Sequence, residues 1–163
     1  MAMLGARVLT CAMALAAGLA MAGCAAAADR HAGYYYPEPT SQETYQARVP
    51  TLADSDRRRR IGFVTALTAE MLNNPYPPQY AVFAKGAEAE KLIITALYGN
   101  GIDTLYRARG LFAMLTAVAR ATTFFRETNA PENYTFFDLC KLLGFKQLTY
   151  TNGDDFAHQV KFE

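Results

Sequence analysis

The chain has 163 residues, 52% of them apolar or aromatic and 19% charged, with 16 basic against 15 acidic side chains. So even a balance excludes a broad nucleic-acid-binding surface, which needs a basic excess. The supply of aliphatic and aromatic residues, 10 Tyr and 10 Phe among them, excludes disorder as the state of the later part of the chain.

The first element is an export signal. Arg7 is the only charged side chain before Asp29, and Val8 to Ala20 is an apolar and small run with Thr10 as its one polar residue. A positive residue before such a run reads as the n- and h-regions of a signal peptide. The run is shorter than the roughly 20 residues that span a bilayer, and no other uncharged segment reaches that length, so no transmembrane helix is expected in the mature chain. The run ends in Met21-Ala22-Gly23-Cys24. Small residues directly before a cysteine resemble the lipobox of bacterial lipoproteins, here with Met21 where that family usually has Leu. The resemblance covers residues 1–24 alone. It implies a signal peptide over 1–23 and acyl chains on Cys24. With Ala25 rather than Asp next, it also implies passage to the outer membrane, facing the periplasm. Several acyl chains, at about 0.8 kcal/mol per buried methylene, anchor stably where a single chain does not. Ala26-Ala27-Ala28 is a competing A-x-A cleavage site that would release a soluble periplasmic protein starting at Asp29. By either route the mature chain carries 15 basic and 15 acidic residues. Cys140 is then the only free thiol, so stability in an oxidising compartment must come from packing.

Residues 24–53 read as a lipid-anchored tether containing Pro, Ala and Tyr. Pro37, Pro39 and Pro50 favour extended backbone, and a flexible chain of about 28 residues reaches roughly 30 Å. A single α+β domain is expected over 54–163. Ser55 is placed to cap a helix with Asp56 in its first turn, and Ile61, Val64, Leu67, Thr68, Met71 and Leu72 follow at helical spacing up to Asn73-Asn74-Pro75. Residues 80–85 and 91–98 read as a hairpin. Asp103 is placed as the cap of a long helix to about residue 127. Its apolar face runs through Leu105, Ala108, Phe112, Leu115 and Ala119, widened by Leu111, Met114, Val118 and Phe125. Gly110 inside it costs about 1 kcal/mol relative to Ala and suggests a close approach by another backbone. Thr135 with Asp138 is a capping-box variant opening a short helix that ends at Gly144. Residues 147–151 and 155–162 flank Asn152-Gly153 as a second hairpin. The expected fold is therefore α+β, with three helices on one face of a four-stranded antiparallel sheet built from two hairpins.

The candidate contacts for a partner or for anionic headgroups are Arg57, Arg58, Arg59 and Arg60, four bases that oppose the macrodipole at a helix N-terminus, and the run Tyr34, Tyr35 and Tyr36. The bland readings are a solvated first turn for the arginines and packing on the chain's own sheet for the tyrosines. Cys140 and His158 are the only thiol–imidazole pair that could form a nucleophile and base, with Asp154 or Asp155 to orient the ring; a buried thiol and a satisfied sheet histidine are the default for both. His31 and His158 have no metal-ligand spacing, and no phosphate-binding or nucleophile-elbow motif is present. No catalytic residue, metal or cofactor is assigned. The reading that follows is a non-enzymatic envelope lipoprotein acting as a binding, assembly or accessory module, with its membrane and an envelope protein as partners. The alternatives are a small periplasmic Cys/His hydrolase or transferase, and a soluble carrier of a small apolar ligand.

Overall fold

The computed structural model describes residues 38–98 and 103–163. Its elements run β1 (Ser41–Tyr45), α1 (Arg57–Leu72), β2 (Tyr80–Lys85), β3 (Lys91–Ala96), α2 (Leu105–Ala121), α3 (Thr123–Thr128), α4 (Phe136–Leu142), β4 (Gln147–Thr151) and β5 (Ala157–Phe162). The protein is α+β, with a five-stranded mixed sheet in the order β1-β5-β4-β3-β2. Both expected hairpins form, as antiparallel pairs with Tyr80 opposite Ala96 and Gln147 opposite Lys161.

The expected four-stranded antiparallel sheet is corrected in two respects. The hairpins join through β3 and β4, which are parallel, Leu92 opposite Leu148. Parallel neighbours need a long crossover, and α2, α3 and α4 supply it. The fifth strand, β1, pairs in parallel with β5, Ser41 opposite His158. It lies in the stretch read as tether. Its sequence, SQETY, has an exposed and partly buried side-chain pattern without an apolar face, because a strand at a sheet edge is held largely by backbone bonding to its one neighbour. The folded part therefore includes residues well before 54, and Val49 belongs to the core.

Among the described residues four helices stand where three were expected. The long helix ends at Ala121 because Thr122 is extended, φ −65° and ψ 145°, and α3 starts anew from it. Two starts are shifted by one residue. Asp56, not Ser55, caps α1 by accepting from the Arg59 N–H at 2.7 Å. Thr104, not Asp103, caps α2, and Asp103 instead pairs with Arg107 one turn on. The Thr135–Asp138 capping box is present in both directions.

The apolar sides of the helices meet Leu92, Ile94, Leu148, Tyr150 and Val160 of the sheet in one core. Phe63 is its centre, with ring centroids 5.5 to 6.4 Å from Phe124, Phe125, Phe136 and Phe145. Burying a side chain of that size is worth roughly 1.5–3 kcal/mol. The buried stripe of α1 is Arg60, Phe63, Leu67 and Met71; Ile61 and Leu72, read as core, are exposed. Leu105 and Met114 of α2 are likewise exposed.

Candidate functional site

The arginine run is divided by the helix it starts. Arg57 and Arg58 face solvent. Arg59 ion-pairs with Asp54 and lies 5.2 Å over the Phe124 ring. Arg60 is buried. Its Nε donates to the Glu88 carbonyl at 2.8 Å, and its Nη1 donates to Ser55 Oγ at 3.2 Å and to the Leu143 carbonyl at 3.4 Å. Ser55 Oγ also donates to the Leu143 carbonyl. Arg60 thus ties the start of α1 to the end of α4 and the β2–β3 turn, and offers nothing to a headgroup. Gly144 sits against this knot with φ +76°. A Cβ there would collide with Ser55 Oγ and come within 2.9 Å of Arg60 Nη1, so this position requires glycine twice over. Cys24 and Tyr34–Tyr36 lie outside the described residues.

Cys140 and His158 do not form a pair. The His158 Nδ1 is hydrogen-bonded to Ser41 Oγ at 2.8 Å, while Nε2 makes no hydrogen bond among the described residues and is 3.5 Å from Glu43 Oε1. Cys140 is fully buried, and burial pushes its thiol well above the usual range, away from the thiolate that a nucleophile needs. The sequence reading missed Ser41 and Glu43 as neighbours of His158, since all three meet only through the β1–β5 register. Ser41, His158 and Glu43 are of nucleophile, base and acid types, but the imidazole is 3% exposed and its contacts hold β1 to β5. Asp155 accepts from the Asn152 amide in the β4–β5 turn. Among the described residues no group of three or more His, Cys, Asp or Glu is arranged to hold a metal.

A hollow lies elsewhere, between α2 and the proline-rich connection 73–79. It has a volume of about 630 Å³, within the range usual for binding pockets. Tyr76, Pro77 and Gln79 of the connection form one wall with Tyr80 and Tyr98, and Arg107, Gly110, Leu111 and Met114 of α2 form the other. An adjoining hollow of about 260 Å³ shares Tyr76, Pro77, Gln79, Tyr80 and Met114 and continues to Val118 and Glu70, making one groove along the helix. Tyr76 is 76% exposed, Tyr98 61% and Met114 45%, so the groove is open to solvent and rimmed by aromatic and apolar surface. Gly110, Met114 and Val118 follow at intervals of four, the spacing of one helix face. Pro75, Pro77 and Pro78 keep the connection out of regular structure, leaving the tyrosine wall standing off the helix. Burial pushes the Tyr80 phenol up to about 12, so its hydroxyl stays protonated at any working pH.

Gly110 is an exposed residue in the lining of the groove. The close backbone approach expected there does not occur, since a Cβ at Gly110 would meet nothing within 4 Å. A glycine inside a helix costs about 1 kcal/mol relative to alanine, and here no packing partner offsets it. The helix surface is open at this point of the groove. The expectation of apolar burial at Met114 fails for a related reason, since this side of α2 faces the groove and not the core. Comparison of the chain with family models, curated proteins and solved structures finds no match.

Proposed function

We propose that this chain is a non-enzymatic bacterial envelope lipoprotein, attached through Cys24 and facing the periplasm, whose α+β domain works as a binding or accessory module. The signal-like start, the lipobox resemblance and the charge balance support the placement. No helix among the described residues is long and apolar enough to cross a membrane, in keeping with attachment through a lipid.

The observation that carries the binding role is the groove between α2 and the connection 73–79, rimmed by the exposed side chains of Tyr76, Tyr98 and Met114, with Gly110 in its lining. Solvent-facing aromatic and methionine surface of this kind suits contact with a partner. The buried Cys140 thiol and the hydrogen bond of His158 to Ser41 speak against a Cys140–His158 nucleophile, and the open rim speaks against an enclosed small-molecule carrier.

The test is photo-cross-linking in intact cells, with a photoreactive phenylalanine analogue replacing either Met114 or Arg58. The expected result is a discrete adduct from position 114 that Gly110→Leu suppresses. An adduct from position 58 alone would move the docking surface to the arginine run and overturn the groove reading. Intact mass of the membrane-extracted protein decides the anchor: a species starting at Cys24 with acyl mass supports it, and one starting at Asp29 removes it.

A further inference from the structure

We infer that two copies of this chain pair through the free edge of the sheet, with β2 of one antiparallel to β2 of the other about a two-fold axis at Val82. This surface is distinct from the groove, and the pairing does not depend on what the groove binds.

The two edges of the sheet differ in kind. The order β1-β5-β4-β3-β2 leaves β1 and β2 with one neighbour each. β1 reads SQETY, with Glu43 at its centre, and a charge on an edge strand resists further pairing. β2 runs Tyr-Ala-Val-Phe-Ala before its first charge at Lys85, and it contains no proline. Its bonding to β3 fixes which groups point outward. The Leu97 N–H donates to the Gln79 carbonyl at 2.9 Å, and Tyr80 lies opposite Ala96. By the alternation of an antiparallel ladder, Ala81 and Phe83 then bond to β3, while the N–H and C=O groups of Tyr80, Val82 and Ala84 face the open side. Among the described residues no backbone bond reaches those groups.

The strand is complementary to itself. With Val82 opposite Val82 of a second copy, Tyr80 falls opposite Ala84 and Ala81 opposite Phe83, so each large side chain meets a small one. The outward N–H and C=O groups of all three residues find partners in that register. Lys85 falls opposite Gln79, so no like charges oppose each other. Phe83 is 46% exposed, on the face away from the helices, and the two Phe83 residues become diagonal neighbours roughly 7–8 Å apart, within aromatic reach.

A strand edge alone falls short of the roughly 800 Å² per partner usual in stable complexes. α1 adds a second surface beside it. Arg59 lies over Phe124 of α3, and Glu70 lines the adjoining hollow with Val118 of α2, so that flank of α1 faces the other helices. The opposite flank carries Ile61, Thr65, Thr68 and Leu72 at spacings of three and four, and it lies on the side of β2, against which α1 packs. Ile61 and Leu72 are exposed there although apolar. The two-fold axis sets the two α1 helices side by side and antiparallel, which covers both residues. It also brings Arg57, one turn before Ile61, toward the negative C-terminal end of the other copy's α1.

The test follows the full mature chain in detergent micelles by sedimentation equilibrium over a range of concentrations. The expected result is a saturable monomer–dimer equilibrium. Ala84→Pro removes an N–H that points off the sheet and so leaves the pairing of β2 with β3 in place, and Phe83→Lys puts a charge beside the axis. Each should raise the dimer dissociation constant at least about tenfold with an unchanged far-ultraviolet circular dichroism spectrum, whereas Thr44→Lys on the β1 edge should leave it unchanged. Nitroxide labels on Lys85→Cys check the register: position 85 lies opposite position 79, so electron-spin distance measurement should give about 20 Å at about 3.4 Å per residue. A monomer at every concentration, a dimer indifferent to both β2 substitutions, or one weakened equally by Thr44→Lys would overturn the pairing. So would a photo-adduct from position 83 in intact cells with the mass of a different protein in place of a doubled chain, which would assign the edge to that protein.

Discussion

Asp138 shows how a fully buried carboxylate can stay ionised. Burial alone pushes its pKa up, but hydrogen bonds from the Arg48 side chain and backbone N–H and from Thr135 outweigh that and bring it from 3.8 to about 2. Tyr45 also donates to it, at 3.2 Å. A carboxyl whose folded pKa lies below its unfolded one adds stability that is complete above the unfolded value and lost as pH falls through the folded one. The shift corresponds to about 2 kcal/mol. Tm is therefore expected to fall as pH drops from about 5 to about 2, and Asp138→Asn should remove most of that dependence; a parallel pH profile in the variant would refute the assignment. The capping half of this site was legible, because Thr135 and Asp138 are three residues apart and a capping box is local. Arg48 was not, because it reaches Asp138 only after the chain before α1 has folded back over α4.

At the scale of elements, α1 carries the clearest lesson. Its buried stripe is 60, 63, 67 and 71, a regular helical spacing whose first member is an arginine. Reading apolar residues alone shifts the face toward Ile61 and Val64, because an arginine is not expected inside unless its donors are met. Here the Glu88 and Leu143 carbonyls meet them. Replacing Arg60 with Met should cost about 2–4 kcal/mol, since the buried Leu143 carbonyl and the part-buried Glu88 carbonyl lose a charged donor, whereas Arg58→Met should stay within about 0.5 kcal/mol. Urea denaturation of the two variants side by side checks this, and similar midpoints would show that the knot around Gly144 is held by Ser55 alone. β1 is the complementary case. Its composition carries no strand signal of its own, and the edge of β5 supplies the pairing that makes it one.

At the scale of the whole molecule, the core must hold without a covalent staple among the described residues, because Cys140 is free and buried. Its thiol should react with a disulfide reagent only on global unfolding, so the rate of labelling should track the unfolding equilibrium as urea is added. Rapid labelling of the native protein would mean that α4 opens locally. The even charge, both hairpins, the helix stop at Gly144 and the α+β class were all set by the sequence alone, because each depends on composition or on residues a few positions apart. The parallel joins of β3 to β4 and β1 to β5, the burial of Arg60 and the groove beside Gly110 were decided only by the tertiary structure. Each depends on segments distant in the chain meeting across one core, and nothing local distinguishes a glycine that admits a neighbour from one that leaves an opening.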